Sequence, residues 1–426
     1  GKTQEVEILT LEDCLRIGID NNLSLEGKRK EIQRSKYGVS ENRSKLLPQI
    51  NAIAGYSNNF DPPVSVTDGS SYGVPYNITQ TLQHSANAGL EMQMPLFNQT
   101  LYTSMSIAKV MEEISRLSYG KAREDVILQI SKMYYLGQVT AEQIMLIKAN
   151  ITRLEELRDI TQAFFDNGMS MEVDLKRVNI NLENLKVQYD NAQAMMKQQL
   201  NMLKYIMDYP AEKEIALTPV NTDSITTVAL TGLSENIYEL QLSQSQVQLA
   251  ERQKKIITNG YIPSLSLTGS WRYAAYTDKG YHWFHSGPSN QWFRSYGVGL
   301  TLRIPIFDGL DKTYKIKKAM IDIENKRLAW EDARKNLQTQ YLNAVNDLMN
   351  NQRNFKKQKD NYLLAEDVYA VTSDRYREGI ASMTEVLQDE MQMSEAQNNY
   401  ISAHYNYRVT NLMLLKLTGQ IESLVK

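Results

Sequence analysis

The sequence predicts a mixed α and β chain built from two internal structural repeats, each with two amphipathic strands and two very long helices. Three observations predict it. Short motifs return at an offset of about 210 to 215 residues, apolar positions recur every seven residues over long proline-free stretches, and four segments of about ten residues alternate apolar with polar.

The repeat constrains everything else. Leu46-Leu47-Pro48-Gln49-Ile50 returns as Gly260-Tyr261-Ile262-Pro263-Ser264-Leu265, and Met94-Pro95-Leu96-Phe97-Asn98 returns as Ile304-Pro305-Ile306-Phe307-Asp308. Phe165-Asp166-Asn167-Gly168 matches Tyr376-Arg377-Glu378-Gly379, and Leu200-Asn201-Met202-Leu203-Lys204 matches Leu412-Met413-Leu414-Leu415-Lys416. The first repeat is expected over 1–209: a short helix, a helix, strands near 49–58 and 84–96, and long helices near 98–166 and 170–208. A polar, Thr-rich connector, 210–233, follows. The second repeat is expected over 234–426, with a helix, strands near 264–276 and 294–306, and long helices near 309–377 and 383–418.

The helices come from period. Tyr341, Leu348, Phe355, Tyr362, Tyr369 and Tyr376 recur every seven residues, with Ile323, Trp330, Leu337 and Ala344 as the interleaved seam. Val126, Ile130, Met133, Ile144, Ile147, Ile151 and Leu154 keep the same spacing in the first half, interrupted by Gly137 and Thr140. The stretches from Thr100 to Asp166 and from Leu310 to Arg377 lack proline. At about 1.5 Å per residue each would extend roughly 100 Å.

The strands carry the other period. Ala86, Ala88, Leu90, Met92, Met94 and Leu96 alternate with Asn87, Gly89, Glu91, Gln93 and Pro95. Tyr296, Val298, Leu300, Leu302, Ile304 and Ile306 alternate with Gly297, Gly299, Thr301, Arg303 and Pro305, and Leu265, Leu267, Gly269, Trp271 and Tyr273 with Ser266, Thr268, Ser270 and Arg272. Ile50 to Tyr56 repeats the scheme weakly. Prolines 48, 95, 263 and 305 are expected where strand meets helix. Long polar loops, Asn58 to Gln83 and Thr277 to Gln291, join the paired strands; Tyr281, Trp283 and Phe284 in the second, with Trp292 just after it, suit an interfacial girdle and equally suit a loop packed on itself.

Strands of this length suit a tilted crossing of hydrocarbon, where unpaired edges cannot be left facing lipid. Four strands are too few to close a barrel. Copies of the chain must therefore join, and three would give twelve strands, with Glu91, Gln93, Arg272 and Arg303 on the face lining a wet pore. No run of about eighteen apolar residues marks a membrane helix, and the start, Gly1-Lys2-Thr3-Gln4-Glu5, reads as a mature or trimmed terminus.

Other functions find little support. Charged residues make up 23% with a net charge of −2, so no strong field favours nucleic acid. Cys14 is the only cysteine, which excludes an internal disulfide and a multi-cysteine zinc site, and it reads as a small buried hydrophobe. His282 and His285 are the only close histidine pair and sit in a loop. No phosphate-binding glycine loop, nucleophile elbow or catalytic triad pattern appears, so the chain is not expected to be an enzyme or to hold a cofactor or metal. The methionines, Met133 and Met320 among them, read as packing.

Leu9-Thr10-Leu11-Glu12-Asp13 followed by Asn21-Asn22, the Leu-Pro before the first strand, the Pro-hydrophobic-Phe-Asn/Asp after the second strand of each half, and the Tyr-x-x-Gly turn between long helices occur in a fixed order. In these marks the sequence resembles the TolC-like outer-membrane efflux protein family over nearly its whole length. The resemblance implies a homotrimer: a 12-stranded outer-membrane β-barrel, four strands per protomer, held in outer-membrane lipid and continued through the periplasm by a long α-helical coiled-coil barrel. It implies a passive conduit for drugs, small molecules or secreted substrates, working with a periplasmic adaptor and an inner-membrane pump of RND or ABC type in a Gram-negative cell. The helix-to-helix turns, Phe164 to Asp174 and Arg375 to Asp389, would form the periplasmic tip and its aperture. Gly168, Glu172 and Asp174 fall in the first; Tyr376, Gly379, Glu385, Gln388 and Asp389 in the second. Where the family pattern has an arginine and a second acidic residue, this chain has Ala381 and Gln388, which implies a weaker lock. A soluble coiled-coil scaffold or periplasmic adaptor is the alternative that the heptads alone would allow.

Overall fold

The computed structural model describes residues 6–221, 228–278 and 292–426. The elements run β1 (Glu7–Leu9), α1 (Leu11–Asn21), α2 (Leu23–Ser44), β2 (Gln49–Asn58), β3 (Val64–Asp68), β4 (Tyr76–Gln80), β5 (His84–Phe97), α3 (Gln99–Asp166) and α4 (Glu172–Met207), then β6 (Ile215–Leu217), α5 (Tyr238–Asn259), β7 (Ser264–Thr277), β8 (Trp292–Arg303), α6 (Asp311–Arg377) and α7 (Met383–Leu417). They form two compact units, and each unit draws on both halves of the sequence. The helical unit comprises Gly1–Ile32, Ile114–Gln244 and Leu328–Lys426; the strand-bearing unit comprises Gln33–Glu113 and Ser245–Arg327.

In the strand-bearing unit one antiparallel sheet has the order β2-β5-β7-β8. Its register sorts the side chains by chemistry. Glu91 lies opposite Asn51 and Ser270, Gln93 opposite Gln49 and Thr268, and Arg303 opposite Ser264. One residue along, Leu90 lies opposite Ala52 and Trp271, and Leu267 opposite Met94 and Leu300. Successive side chains of a strand point to opposite faces, so the pairing yields one polar face and one apolar face. Large apolar residues of the second face are bare: Ile50 is 65% exposed, Tyr296 76% and Val298 79%.

Three expectations about this unit need correction. Pro95 lies inside β5, where the register shifts between Pro95 and Phe97 and two residues of β5 answer one of β7. A bulge leaves a backbone N–H unpaired, and proline has none to pair. It also removes Leu96 from the alternation. The last strand ends at Arg303, so Ile304 and Ile306 lie beyond it, and it begins at Trp292, before the expected 294. Pro305 disfavours a regular ladder at both itself and Ile304. The segment from Asn58 to Gln83 is no plain loop, for it holds the β3–β4 hairpin, in which Val66 lies opposite Ile78. The second loop, with Tyr281, Trp283, Phe284, His282 and His285, falls at 279–291, outside the described residues.

Among the described residues of the helical unit, α7 contributes buried residues to all four apolar clusters, α3 to three of them and α6 to two. At one level Cys14 and Leu15 of α1, Ile127, Ile130 and Tyr134 of α3 and Leu203 and Met207 of α4 share a core with Leu412. Burial pushes the Cys14 thiol up to about 12, consistent with an inert packing residue. The connector contributes an unexpected element: β6 pairs in parallel with β1, Ile8 opposite Ala216. Tyr134 ties that pair to α3, its hydroxyl donating to the Leu9 carbonyl (2.9 Å) and lying 2.6 Å from Thr218 Oγ1. The interruption at Gly137 has a local cause, because a Cβ there would run into Leu217 of β6. Further along, Leu337, Tyr341, Ala344 and Leu348 of α6 pack with Tyr407, Leu414 and Leu417 of α7.

Candidate functional site

Two places hold the residues singled out by the sequence, one in each unit, and each is built by its own rules. In the helical unit, α3 turns into α4 and α6 turns into α7 by the same backbone device. Gly168 has φ +75° and Gly379 φ +74°. Gly168 N–H donates to the Phe165 carbonyl (2.9 Å) and Met169 N–H to the Phe164 carbonyl (2.7 Å). Gly379 N–H donates to the Tyr376 carbonyl (2.9 Å) and Ile380 N–H to the Arg375 carbonyl (2.8 Å). This pair of bonds satisfies the carbonyls orphaned at a helix end and requires a left-handed residue. No atom lies within 4 Å of a Cβ built on either glycine, so conformation alone selects glycine. Gly379→Ala should therefore cost about 1–2 kcal/mol, read as faster amide exchange at Arg375–Ala381 with the rest of α6 unchanged.

Beneath the turns, Leu154 and Leu157 of α3, Val178 and Leu182 of α4, Tyr369 and Tyr376 of α6 and Met383, Val386 and Leu387 of α7 form one core. Tyr376 is 6% exposed; its ring lies 5.7 Å from that of Phe164, and its hydroxyl is 3.2 Å from Thr161 Oγ1. Thr161 donates to the Leu157 carbonyl (2.7 Å), so the tyrosine hydroxyl is the donor between the two.

The acidic residues divide by what they touch. Glu385 is exposed but engaged: Ser382 N–H donates to its Oε2 (2.9 Å), and its own N–H donates to Ser382 Oγ (3.3 Å). That is a capping box closing the start of α7, and the Ser-x-x-Glu spacing at 382–385 carries its signal in the sequence. Ser382→Ala is expected to cost about 1 kcal/mol, seen as a lowered denaturation midpoint restored when serine is returned. Glu172 pairs with Lys176 (2.8 Å) and Asp174 with Arg177 (3.1 Å), both within the first turns of α4. Asp389 is half-buried and Gln388 exposed. Ala381, where the resemblance would put an arginine, is buried in the core.

Other ion pairs escaped the sequence reading. Arg153 of α3 pairs with Glu366 of α6 and also donates to Asn150 Oδ1 (3.1 Å), and Glu156 lies 3.6 Å from Arg377. These partners are some 210 to 220 positions apart in sequence, and no local spacing announces them. Glu390 escaped it too, although its partner is local: it is 3% exposed and accepts from Ser394 Oγ one turn along α7 (2.8 Å), and burial pushes its carboxyl up from the ordinary value.

In the strand-bearing unit, all four residues expected on a polar face do share it. Glu91 on β5 forms an ion pair with Arg272 on β7, one diagonal step apart across Gly89. Gln93 and Arg303 stand on the same face, near Gln49, Ser266 and Thr301.

The sequence model of the family described as "Outer membrane efflux protein" matches residues 17–207 and again 229–420. The chain belongs to this family. Its place is therefore the outer membrane and its work is efflux transport. Outer membrane protein TolC of Vibrio cholerae is 21% identical, with 90% of this chain aligned to 84% of that protein. The probable efflux pump outer membrane protein TtgC of Pseudomonas putida is 23% identical over 96% of this chain and 82% of its own length. Among solved structures of the same fold, CusC superposes with a TM-score of 0.79 at 16% identity, covering 96% of this chain and 91% of that one. VceC of Vibrio cholerae gives 0.76 at 14% identity, covering 96% of each chain.

Proposed function

We propose that three copies of this efflux-family chain close a 12-stranded barrel through the outer membrane and a helical tunnel behind it, forming the passive outer channel of a tripartite export system. The observation that carries this is the β2-β5-β7-β8 sheet: four strands, antiparallel throughout, with β2 and β8 at its edges and one face bare and apolar. In lipid such edges would leave N–H and C=O groups without partners. β2 and β8 run in opposite directions, so β8 of one copy can take β2 of the next in the same antiparallel sense, and repetition around an axis closes the ring. The polar face, with Glu91, Gln93, Arg272 and Arg303, then lines the lumen.

The helices support the same assembly. Leu328, Leu342, Met349 and Leu363 share one heptad position of α6 with Lys335 and Lys356 between them, distinct from the buried seam, and are 63, 58, 58 and 46% exposed. On α4, Val173, Ile180 and Val187 repeat at the same spacing and are 44, 61 and 56% exposed. Apolar heptad stripes left bare in one copy suit helices of a neighbouring copy. The turns at Gly168 and Gly379, with Glu172, Asp174, Tyr376, Glu385, Gln388 and Asp389 around them, form the tip, where an adaptor carried by an inner-membrane pump would engage and open the passage. Size-exclusion chromatography with light scattering on the detergent-extracted chain, followed by planar-bilayer recording, tests the reading. A trimer that conducts ions is expected, whereas a monomer, or a trimer that never conducts, would overturn it.

A further inference from the structure

A cavity of about 260 Å³ opens in the helical unit where the connector crosses α3 and α7. One part of its wall is apolar, built from Leu11, Leu412, Leu415 and Leu424, and most of the rest carries polar groups. The space suits a small organic molecule better than a few waters.

The polar wall is unusual in its charge. Arg408 is 8% exposed, and its guanidinium lies 4.7 Å over the Tyr135 ring. It donates from Nε to His404 Nε2 (3.1 Å), from Nη1 to Gln138 Oε1 (2.9 Å) and from Nη2 to the Asn221 carbonyl (3.4 Å). All three acceptors are neutral, and a guanidinium has five N–H groups. The nearby carboxylate, Glu142, stands on the far side of His404: it accepts from Tyr400 (2.9 Å) and lies 3.4 Å from His404 Nδ1. Nε2 of His404 faces Arg408, so it is Nδ1 that faces Glu142. Among the described residues no carboxylate bonds Arg408 directly.

A second residue on the same wall is unsatisfied. Asn411 is 7% exposed, one turn along α7 from Arg408, and among the described residues neither its amide nitrogen nor its amide oxygen has a hydrogen-bond partner. A buried amide in that condition costs about 1–3 kcal/mol, which a polar ligand relieves. Burial also lowers the pKa of Arg408, the direction expected of a cation whose charge is not fully compensated.

We infer that this cavity is a binding site for a small monocarboxylate with an apolar tail, its head held by Arg408 beside Asn411 and its tail against Leu412, Leu415 and Leu424. The planar fork of arginine matches the two oxygens of a carboxylate, and the leucine wall distinguishes such a ligand from inorganic phosphate or acetate. The occupant would supply a negative charge that none of the described residues bonds to Arg408 directly, within the helical unit and apart from the turns at Gly168 and Gly379, so the site stands whether or not the trimer reading does.

Saturation-transfer NMR on the detergent-purified full chain, with hexanoate as probe and a detergent-only blank, tests it. Hexanoate should bind saturably, while hexan-1-ol, hexylammonium and inorganic phosphate should not compete. Asn411→Asp places a carboxylate of nearly the same shape beside Arg408 and should weaken hexanoate at least about tenfold while the thermal midpoint holds or rises. Arg408→Gln should lose binding as well. Absence of a hexanoate signal in the unaltered chain, equal binding of hexan-1-ol, or unweakened binding in a folded Asn411→Asp would each overturn the assignment.

Discussion

Tyr376→Ala is expected to turn the proposed closed tip into a leaky one. The side chain is 6% exposed and joins α6 to α3 through Phe164 and Thr161, so its removal should cost about 3–5 kcal/mol of packing confined to the end of the helical unit. If the turns at Gly168 and Gly379 frame the aperture, loss on that scale shifts the tip toward open forms by several powers of ten, and planar-bilayer recordings should show larger and more persistent conductance. Tyr376→Phe keeps the ring and loses only the bond to Thr161, about 1 kcal/mol, and should leave conductance close to that of the unaltered chain. Equal conductance for Tyr376→Ala and the unaltered chain would place the aperture elsewhere.

Glu124→Gln is expected to make the protein more stable, and only above mildly acidic pH. Glu124 of α3 is 9% exposed, and Lys416 pairs with neighbouring Asp125 at 2.6 Å rather than with it. Burial, aided by Glu422, Asp125 and Glu239 and opposed by Lys416, raises its carboxyl from 4.5 to about 7. A raised folded value means that the folded state prefers the acid. The stability this contributes is therefore fully present below 4.5 and is lost as pH rises through about 7. Glutamine mimics the acid at every pH. Denaturant midpoints of the two proteins should coincide near pH 4 and separate by up to roughly 3 kcal/mol by pH 8, with Glu124→Gln the more stable. Parallel pH profiles would contradict the assignment of that window to Glu124.

Sequence reading reached those features whose cause is local. Alternation sorted Glu91, Gln93, Arg272 and Arg303 onto one strand face because the period of a strand is two, and the structure keeps them there. The turn glycines were legible because a left-handed residue excludes side chains on steric grounds, whatever surrounds it. Failure came where two distant segments decide the outcome. Arg408 with Gln138, Arg153 with Glu366 and β1 with β6 meet only after the chain has folded, and nothing near any of these residues foretells its partner. The hairpin at Val64 to Gln80 was hidden differently, since its strands are five residues each, too short for period to stand out against a polar background. For Glu385 the Ser-x-x-Glu spacing carried a local signal of the capping box that went unread, while the aperture role implied by the resemblance belongs to the proposal.

The direction of the strands has a consequence for how such chains can change over generations. Each copy begins its sheet with β2 and ends it with β8 running the other way. In the proposed ring of copies such chains could therefore gain or lose hairpins whole, while loss of a single strand would set like-directed neighbours side by side at every seam, one change spoiling all of them together. That constraint falls on strand number and direction and leaves residue identity open, in keeping with relatives at about one identical residue in five.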